Sequence, residues 1–201
     1  ELHVRQGEFV VILGRSGCGK TTLLRQLKPS VTPVGKKKGQ IIFDGKDICS
    51  LDDRMAASQI GFVWQDVNAQ LVTDKVWHEL AFGLESLGYN NGYVRRRVAE
   101  MGSFFGLGDI FHRKVMELSG GQKQRIGIAR ALYKRAEVLF FDEATSALDS
   151  RTEHEINRAL EELSDRYREL TIIIIAHRDT SLHICDRIYN LQTGEIMHPV
   201  K

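Results

Sequence analysis

The sequence predicts an α/β fold: a mainly parallel sheet flanked by helices, with an α-helical subdomain inserted into it. Three observations predict it. Short, near-continuous Val/Ile/Phe runs recur at Phe9 to Leu13, Ile41 to Phe43, Ile60 to Trp64, Val138 to Phe141 and Thr171 to Ala176. Runs of that kind suit strands buried on both faces of a sheet. The last two are joined by a segment carrying Ile156, Leu160, Leu163, Tyr167 and Leu170 on one helical face, with Ser150 and Glu153 placed as a capping box at its start. Strand, helix, strand predicts a right-handed parallel crossover. Finally, the stretch from about Asp66 to Tyr133 lacks strand-like runs. It carries two helical patterns instead, Val76, Leu80, Leu84, Leu87 and then Val94, Val98, Met101, Phe105. The expected organisation is one domain, residues 1–201, with a core at about 1–65 and 134–201 and a helical subdomain at about 66–133.

A chain of 201 residues with 42% hydrophobic content can bury a real core. Its 28 basic and 26 acidic residues leave a net charge of +2, too balanced for wholesale binding to nucleic acid. The apolar runs are far shorter than the ~20 residues of a membrane-spanning helix, and no signal peptide is visible. Cys18, Cys49 and Cys185 are odd in number and lack metal-type spacing, as expected of a protein from a reducing compartment. The basic runs Lys36 to Lys38 and Arg95 to Arg97 read as solvated loop or helix faces.

The chemistry concentrates at strand ends. Gly14, Gly19, Lys20 and Thr21 fit GxxxxGK[ST] after the run Phe9 to Leu13 and before a helical-looking segment, Thr22 to Leu27. In such a loop, backbone N–H groups turn inward around phosphates, Lys20 reaches the β- and γ-phosphates, and Thr21 can ligate Mg²⁺. A Gly-rich turn that merely links strand to helix is the bland alternative, and the Lys-Thr pair argues against it. Asp142 and Glu143 end the run Val138 to Phe141, at the sheet edge where ligands bind in open α/β folds. There Asp142 would hold Mg²⁺ and Glu143 would act as general base on the attacking water. Alone, such an acid pair is as readily a solvated turn; beside the phosphate loop it is a site.

Leu118 to Gln122 reads LSGGQ, and this resembles the signature motif of the ABC ATPase family. Other motifs match that family in order. Gln65 after Gly61-Phe62-Val63-Trp64 resembles the Q-loop, Ser146-Ala147-Leu148-Asp149 the D-loop, and His177 after Thr171 to Ala176 the switch histidine. The resemblance runs from Gly7 to Gly194. It implies a P-loop NTPase core of the RecA-like type, with ATP and Mg²⁺ as ligands. It implies ATP contacts from Gly14, Ser16, Gly17, Cys18, Gly19, Lys20, Thr21 and Thr22, and from Ser119, Gly120, Gly121, Gln122 and Asp149 across a dimer interface. Thr21, Gln65 and Asp142 would attend the metal, and Glu143, Gln65 and His177 the reaction. Cys18 fits as a small residue at a variable loop position, with oxidation sensitivity as the alternative reading.

The implied partners are a second cassette, identical or not, arranged head to tail, and transmembrane transporter subunits, with the protein peripheral on the cytoplasmic face of the membrane. The family's adenine-stacking aromatic lies well upstream of the Walker A lysine. Nineteen residues precede Lys20, none is assigned that role, and phosphate grip is expected to supply most of the affinity. Ala144 stands where a Pro is frequent. The segment Gln65 to Gly88 resembles energy-coupling-factor and cobalt-type importers of vitamins or metal ions. LSGGQKQRIGIARAL and DEATSALD also fit exporters and amino-acid importers. Non-transport ABC ATPases and a degenerate, non-hydrolysing module are further alternatives.

Overall fold

The computed structural model describes residues 2–133, 136–144, 149–176, 182 and 184–198. Its main sheet is built from β1 (Phe9–Leu13), β4 (Ile60–Val63), β5 (Val138–Asp142), β6 (Thr171–Ile175), β7 (Arg187–Asn190) and β8 (Ile196–Met197). Their order across the sheet is β4-β5-β6-β1-β7-β8. Every pairing up to β7 is parallel, and only β8 runs antiparallel.

The continuous apolar runs have a simple physical outcome. Successive side chains on a strand point to opposite faces, so Phe9 and Val11, Leu139 and Phe141, and Ile172 and Ile174 enter one core cluster. Their neighbours Val10, Ile12, Val138, Phe140, Ile173 and Ile175 enter the other. Helices α1 (Lys20–Gln26) and α2 (Asp53–Gln59) contribute Leu24 and Ala56 to the buried interior. The first cluster is covered by α3 (Val76–Ser86), α4 (Asn91–Phe104), α5 (Gly120–Leu132) and α6 (Ser150–Arg166). The apolar faces of α3, α4 and α5 meet, α3 packing on both α4 and α5, in a helical subdomain attached to the β4 edge of the sheet.

Several expectations need correcting. Ile42–Phe43 is a strand, β2, but it pairs antiparallel with β3 (Lys46–Asp47) in a separate ribbon rather than joining the main sheet. Asp44 and Gly45 both adopt positive φ, 46° and 73°, between these strands. That is the twist a two-residue hairpin needs, and an Asp-Gly pair is its usual signal. Helix α6 is capped by Asp149, whose side chain accepts from Thr152 N, and not by Ser150. Glu153 is buried, and Leu170 lies beyond the helix. Lys36 to Lys38 are exposed as expected, but Arg97 is buried: its Nε donates to Tyr133 O at 3.3 Å and Nη1 reaches Glu100 at 2.5 Å.

Helix α5 lies directly on β4, antiparallel to it, because Gly61 offers no side chain there. A Cβ at Gly61 would stand 2.3 Å from Leu139 Cδ2 and 3.0 Å from Ala131 O. Overpacking of this kind costs about 1–3 kcal/mol, so Gly61→Ala should lower the urea unfolding midpoint by that equivalent with an unchanged denaturant slope.

Candidate nucleotide-binding site

The sheet delivers its chemistry at the C-terminal ends of β1, β4 and β5. After β1, the loop 14–19 turns back on itself with Gly14, Gly17 and Gly19 at φ of 153°, 81° and 97°, a backbone that L side chains rarely adopt. Lys20 begins α1 and is buried, its Nζ donating to Gly14 O at 2.9 Å and Arg15 O at 3.1 Å. The ammonium is thereby held over the space the loop encloses. Gly19 provides no side-chain cap to α1, which leaves the first-turn N–H groups open to an anion. Ser16, Cys18 and Thr22 belong to this loop and first turn. Cys18 is partly buried, and its Sγ would lie 2.7 Å from a Cβ at Gly14.

One residue along α1, Thr21 Oγ1 donates to Asp142 Oδ1 at 2.7 Å, so the loop and the end of β5 meet. Asp142 is only 2% exposed. Burial pushes its pKa up, while the Thr21 hydroxyl and the Arg25 guanidinium pull it back. Arg25 Nη2 lies 3.9 Å from Asp142 Oδ2, and the same guanidinium sits 4.8 Å from the centroid of the Trp64 ring. Arg25 was not singled out from sequence. The available signal was its i+4 spacing from Thr21, which puts both on one face of α1.

Glu143 follows Asp142 with φ 51°, outside the region favoured by residues with a Cβ. Gln65, just past β4, donates from Nε2 to Glu143 Oε2 at 3.2 Å. These two expected site residues, 78 positions apart, are therefore in contact. Thr21 and Asp142 offer hydroxyl and carboxylate oxygens, the hard donors that suit Mg²⁺ when substrate phosphates and water complete its shell. The residues present thus fit the ion.

Ser119 caps α5 in a reciprocal box: Ser119 N donates to Gln122 Oε1 at 3.0 Å, and Gln122 N donates to Ser119 Oγ at 3.3 Å. Gly120 is the first residue of the helix. Gly121 faces α6 so closely that a Cβ would meet Thr152 Cγ2 at 2.3 Å. Thr152 N donates to Asp149 Oδ1 at 3.0 Å and Thr152 Oγ1 to Asp149 Oδ2 at 2.7 Å, and these bonds, the backbone one first, hold the Asp149 carboxylate below its ordinary pKa. Ser146, Ala147, Leu148 and His177 lie outside the described residues.

The LSGGQ end of α5 is remote from the phosphate loop. Gly127 is level with Val63, and Ala131 with Gly61. At 1.5 Å per residue the N-terminus of α5 projects ~10 Å past the end of β4. Between β4 and β1 stand β5 and β6, a lateral separation of ~14 Å at the usual strand spacing.

A family model described as ABC transporter matches residues 1–146. The chain belongs to the ABC transporter family. It is 37% identical over 198 residues to a putative ABC transporter ATP-binding protein of Bacillus cereus, covering 98% of this chain and 36% of that protein. It is 39% identical over 200 residues to the methionine import ATP-binding protein MetN 2 of Yersinia pestis, covering 98% of this chain and 60% of that one. The chain thus spans about two to three fifths of the length of these relatives. Among solved structures, cbiO1 of Clostridium perfringens, part of the ABC transporter complex cbiONQ, superposes with a TM-score of 0.85 at 29% identity. That match covers 98% of this chain and 78% of cbiO1. A dimeric structure of the ATP-binding cassette MJ0796 bound to ADP and Pi gives 0.83 at 27% identity, over 100% and 89% of the chains. The fold shared with these structures is a RecA-like P-loop core with a helical subdomain.

The raised pKa of Asp142 means that its ionised form is less favourable folded than unfolded. The penalty is fully present above the folded pKa and disappears as pH falls below the unfolded value, near 3.8. Asp142→Asn should therefore raise the melting temperature of the nucleotide-free protein at neutral pH, by calorimetry, and the gain should shrink on acidification.

Proposed function

We propose that this chain binds and hydrolyses MgATP as one half of a head-to-tail pair of cassettes, and that the cycle drives a solute through membrane subunits from their cytoplasmic face. The observation that carries the reading is the convergence at one sheet edge of Lys20, the Thr21–Asp142 hydrogen bond and the Gln65–Glu143 contact. Lys20, now satisfied by two carbonyls, can turn its remaining donor to the phosphates. Thr21 and Asp142 are the residues to hold Mg²⁺, which when bound would offset charge on the phosphate oxygens. Glu143 accepts a proton from water as the new O–P bond forms and the bond from the γ-phosphorus to the bridging oxygen breaks, leaving ADP and phosphate. Gln65 orients the Glu143 carboxylate, and His177 is assigned to the γ-phosphate by its place in the motif order.

The distance of LSGGQ from the phosphate loop supports the paired arrangement. The capped N-terminus of α5, with Ser119 and Gly121, is separated from its own loop and would offer N–H groups to the γ-phosphate held by a partner. Asp149 would join it there. That MJ0796, which this chain resembles in fold, is dimeric supports a paired assembly. For the solute, two import readings have support. Likeness to cbiO1 and the segment Gln65 to Gly88 favour a metal ion or vitamin, and identity with methionine import proteins favours an amino acid. We adopt the first, and subdomain limits at about residues 66 and 133, as working assignments.

Lys20→Ala should abolish tight ATP binding by titration calorimetry, whereas unchanged affinity would refute the phosphate role. Glu143→Gln should slow hydrolysis by on the order of 10² or more and accumulate a dimer in MgATP. A variant that stays monomeric at saturating MgATP on size exclusion would count against the paired model. Uptake by the reconstituted transporter, offered a divalent metal, a vitamin or methionine, separates the import readings.

A further inference from the structure

Strand β4 is the edge of the main sheet. Its outer edge, where no strand pairs among the described residues, is met by two side chains: Lys28 Nζ donates to Ile60 O at 2.6 Å at the start of the strand, and Gln70 holds its end. Gln70 Nε2 donates to Phe62 O at 2.9 Å, and Gln70 Oε1 accepts from Trp64 N at 3.0 Å. In a parallel ladder, one residue bonds in this way to the two residues flanking its partner. The Gln70 carboxamide therefore stands in for one peptide unit of a missing strand, and it does so on Phe62 and on Trp64, the residue next to Gln65.

Gln70 is itself fastened. Its carbonyl accepts from Arg130 Nη1, on α5, and Arg130 also pairs with Glu79. Glu79 is fully buried, and its second oxygen accepts from Val72 N at 3.0 Å and Thr73 N at 2.7 Å. Nearer the start of α5, Lys123 Nζ donates to Asn68 Oδ1 at 3.0 Å. Gly127 lies alongside this segment, with Val67 and Gln70 Oε1 at ordinary contact distance of a Cβ built there, 3.4 and 3.7 Å. Residues 66–73 are thus tied to the helix that begins with LSGGQ. Breaking the buried pair would leave an uncompensated charge, which is strongly destabilising, so the tie is stiff.

We propose that Gln70 is a positioning residue for hydrolysis: it fixes the direction in which the chain leaves β4, and so places Gln65 against Glu143, while Arg130 and Glu79 hold Gln70 in register with α5. The proposal rests on the hydrolysis reading above. It means that a shift of α5 when its LSGGQ end engages a partner's nucleotide is transmitted to the Gln65–Glu143 contact through two hydrogen bonds of one carboxamide. Each cassette then reports the state of one nucleotide site to the other.

The test uses Gln70→Met, which keeps the length and the packing at Gly127 but can neither donate nor accept at the β4 edge. Hydrogen exchange on the nucleotide-free protein should show the Trp64 amide exchanging roughly 10-fold faster, as expected for loss of a single hydrogen bond. Unchanged exchange overturns the anchoring. In steady-state ATPase assays, kcat should fall on the order of 10-fold with KM for ATP unchanged, a part of the roughly 10²-fold that a 1 Å misplacement can cost. In the cycle with Gln65→Ala, the double variant should be as slow as Gln65→Ala alone, because Gln70 acts through Gln65. Losses that multiply, or a wild-type rate for Gln70→Met, overturn the proposal. Wild-type hydrolysis by Gln65→Ala overturns both the role of Gln65 and its positioning, and leaves the exchange result to report the anchor separately. As a second variant, Gln70→Glu keeps the acceptor for Trp64 N and sets an oxygen against Phe62 O. It should fall between wild type and Gln70→Met in both exchange and kcat; behaviour identical to Gln70→Met in both overturns the two-bond account.

Discussion

Burying a carboxylate at the end of a strand covered on both faces is the constraint on which this molecule depends. Asp142 ends a strand whose every residue is buried, and water cannot solvate its charge. Burial of that kind is tolerated only when other groups supply hydrogen bonds and opposite charge. Thr21 and Arg25 do so from one face of α1, and α1 holds its place because β1 feeds the phosphate loop into it. Sheet order, loop and helix are thus organised around one oxygen pair. Even Trp64 is enlisted, as the apolar lid over the Arg25 guanidinium.

Much of this was legible in the sequence, for physical reasons that differ by element. The central strands announce themselves because β1, β5 and β6 are buried on both faces and are apolar except at their ends, Asp142 and Thr171, as Val10, Phe140 and Ile173 illustrate. Strand β7 was missed because only Ile188 of its residues is fully buried, and β8 because both its residues are exposed. The hairpin β2–β3 carried a turn signal, Asp44-Gly45, but its apolar run imitated a sheet strand. The α6 cap was misplaced by one residue because Asp149 and Ser150 are both good caps, and only Asp149 has extended backbone and reaches Thr152 N.

Within the site, motifs with fixed spacing were readable and long-range partners were not. Nothing in the order of residues says that Gln65 meets Glu143, or that Gln70 turns back onto Phe62 and Trp64. Those contacts depend on β4 and β5 being neighbours and on α5 lying across β4. A glutamine in a polar stretch has no periodicity to betray it. Arg97, read as part of a solvated basic run, is buried for the same reason: its role depends on the carbonyl of Tyr133, 36 positions away.

The left-handed backbone at Glu143 carries a consequence of another kind. A side chain with a Cβ held at φ 51° stores conformational strain of about 1–2 kcal/mol, and glycine would relieve it. Selection for thermal robustness alone therefore favours losing the residue assigned as general base. An engineer who screened libraries of this cassette only by heat resistance would enrich for inert proteins that bind nucleotide and never release the phosphate.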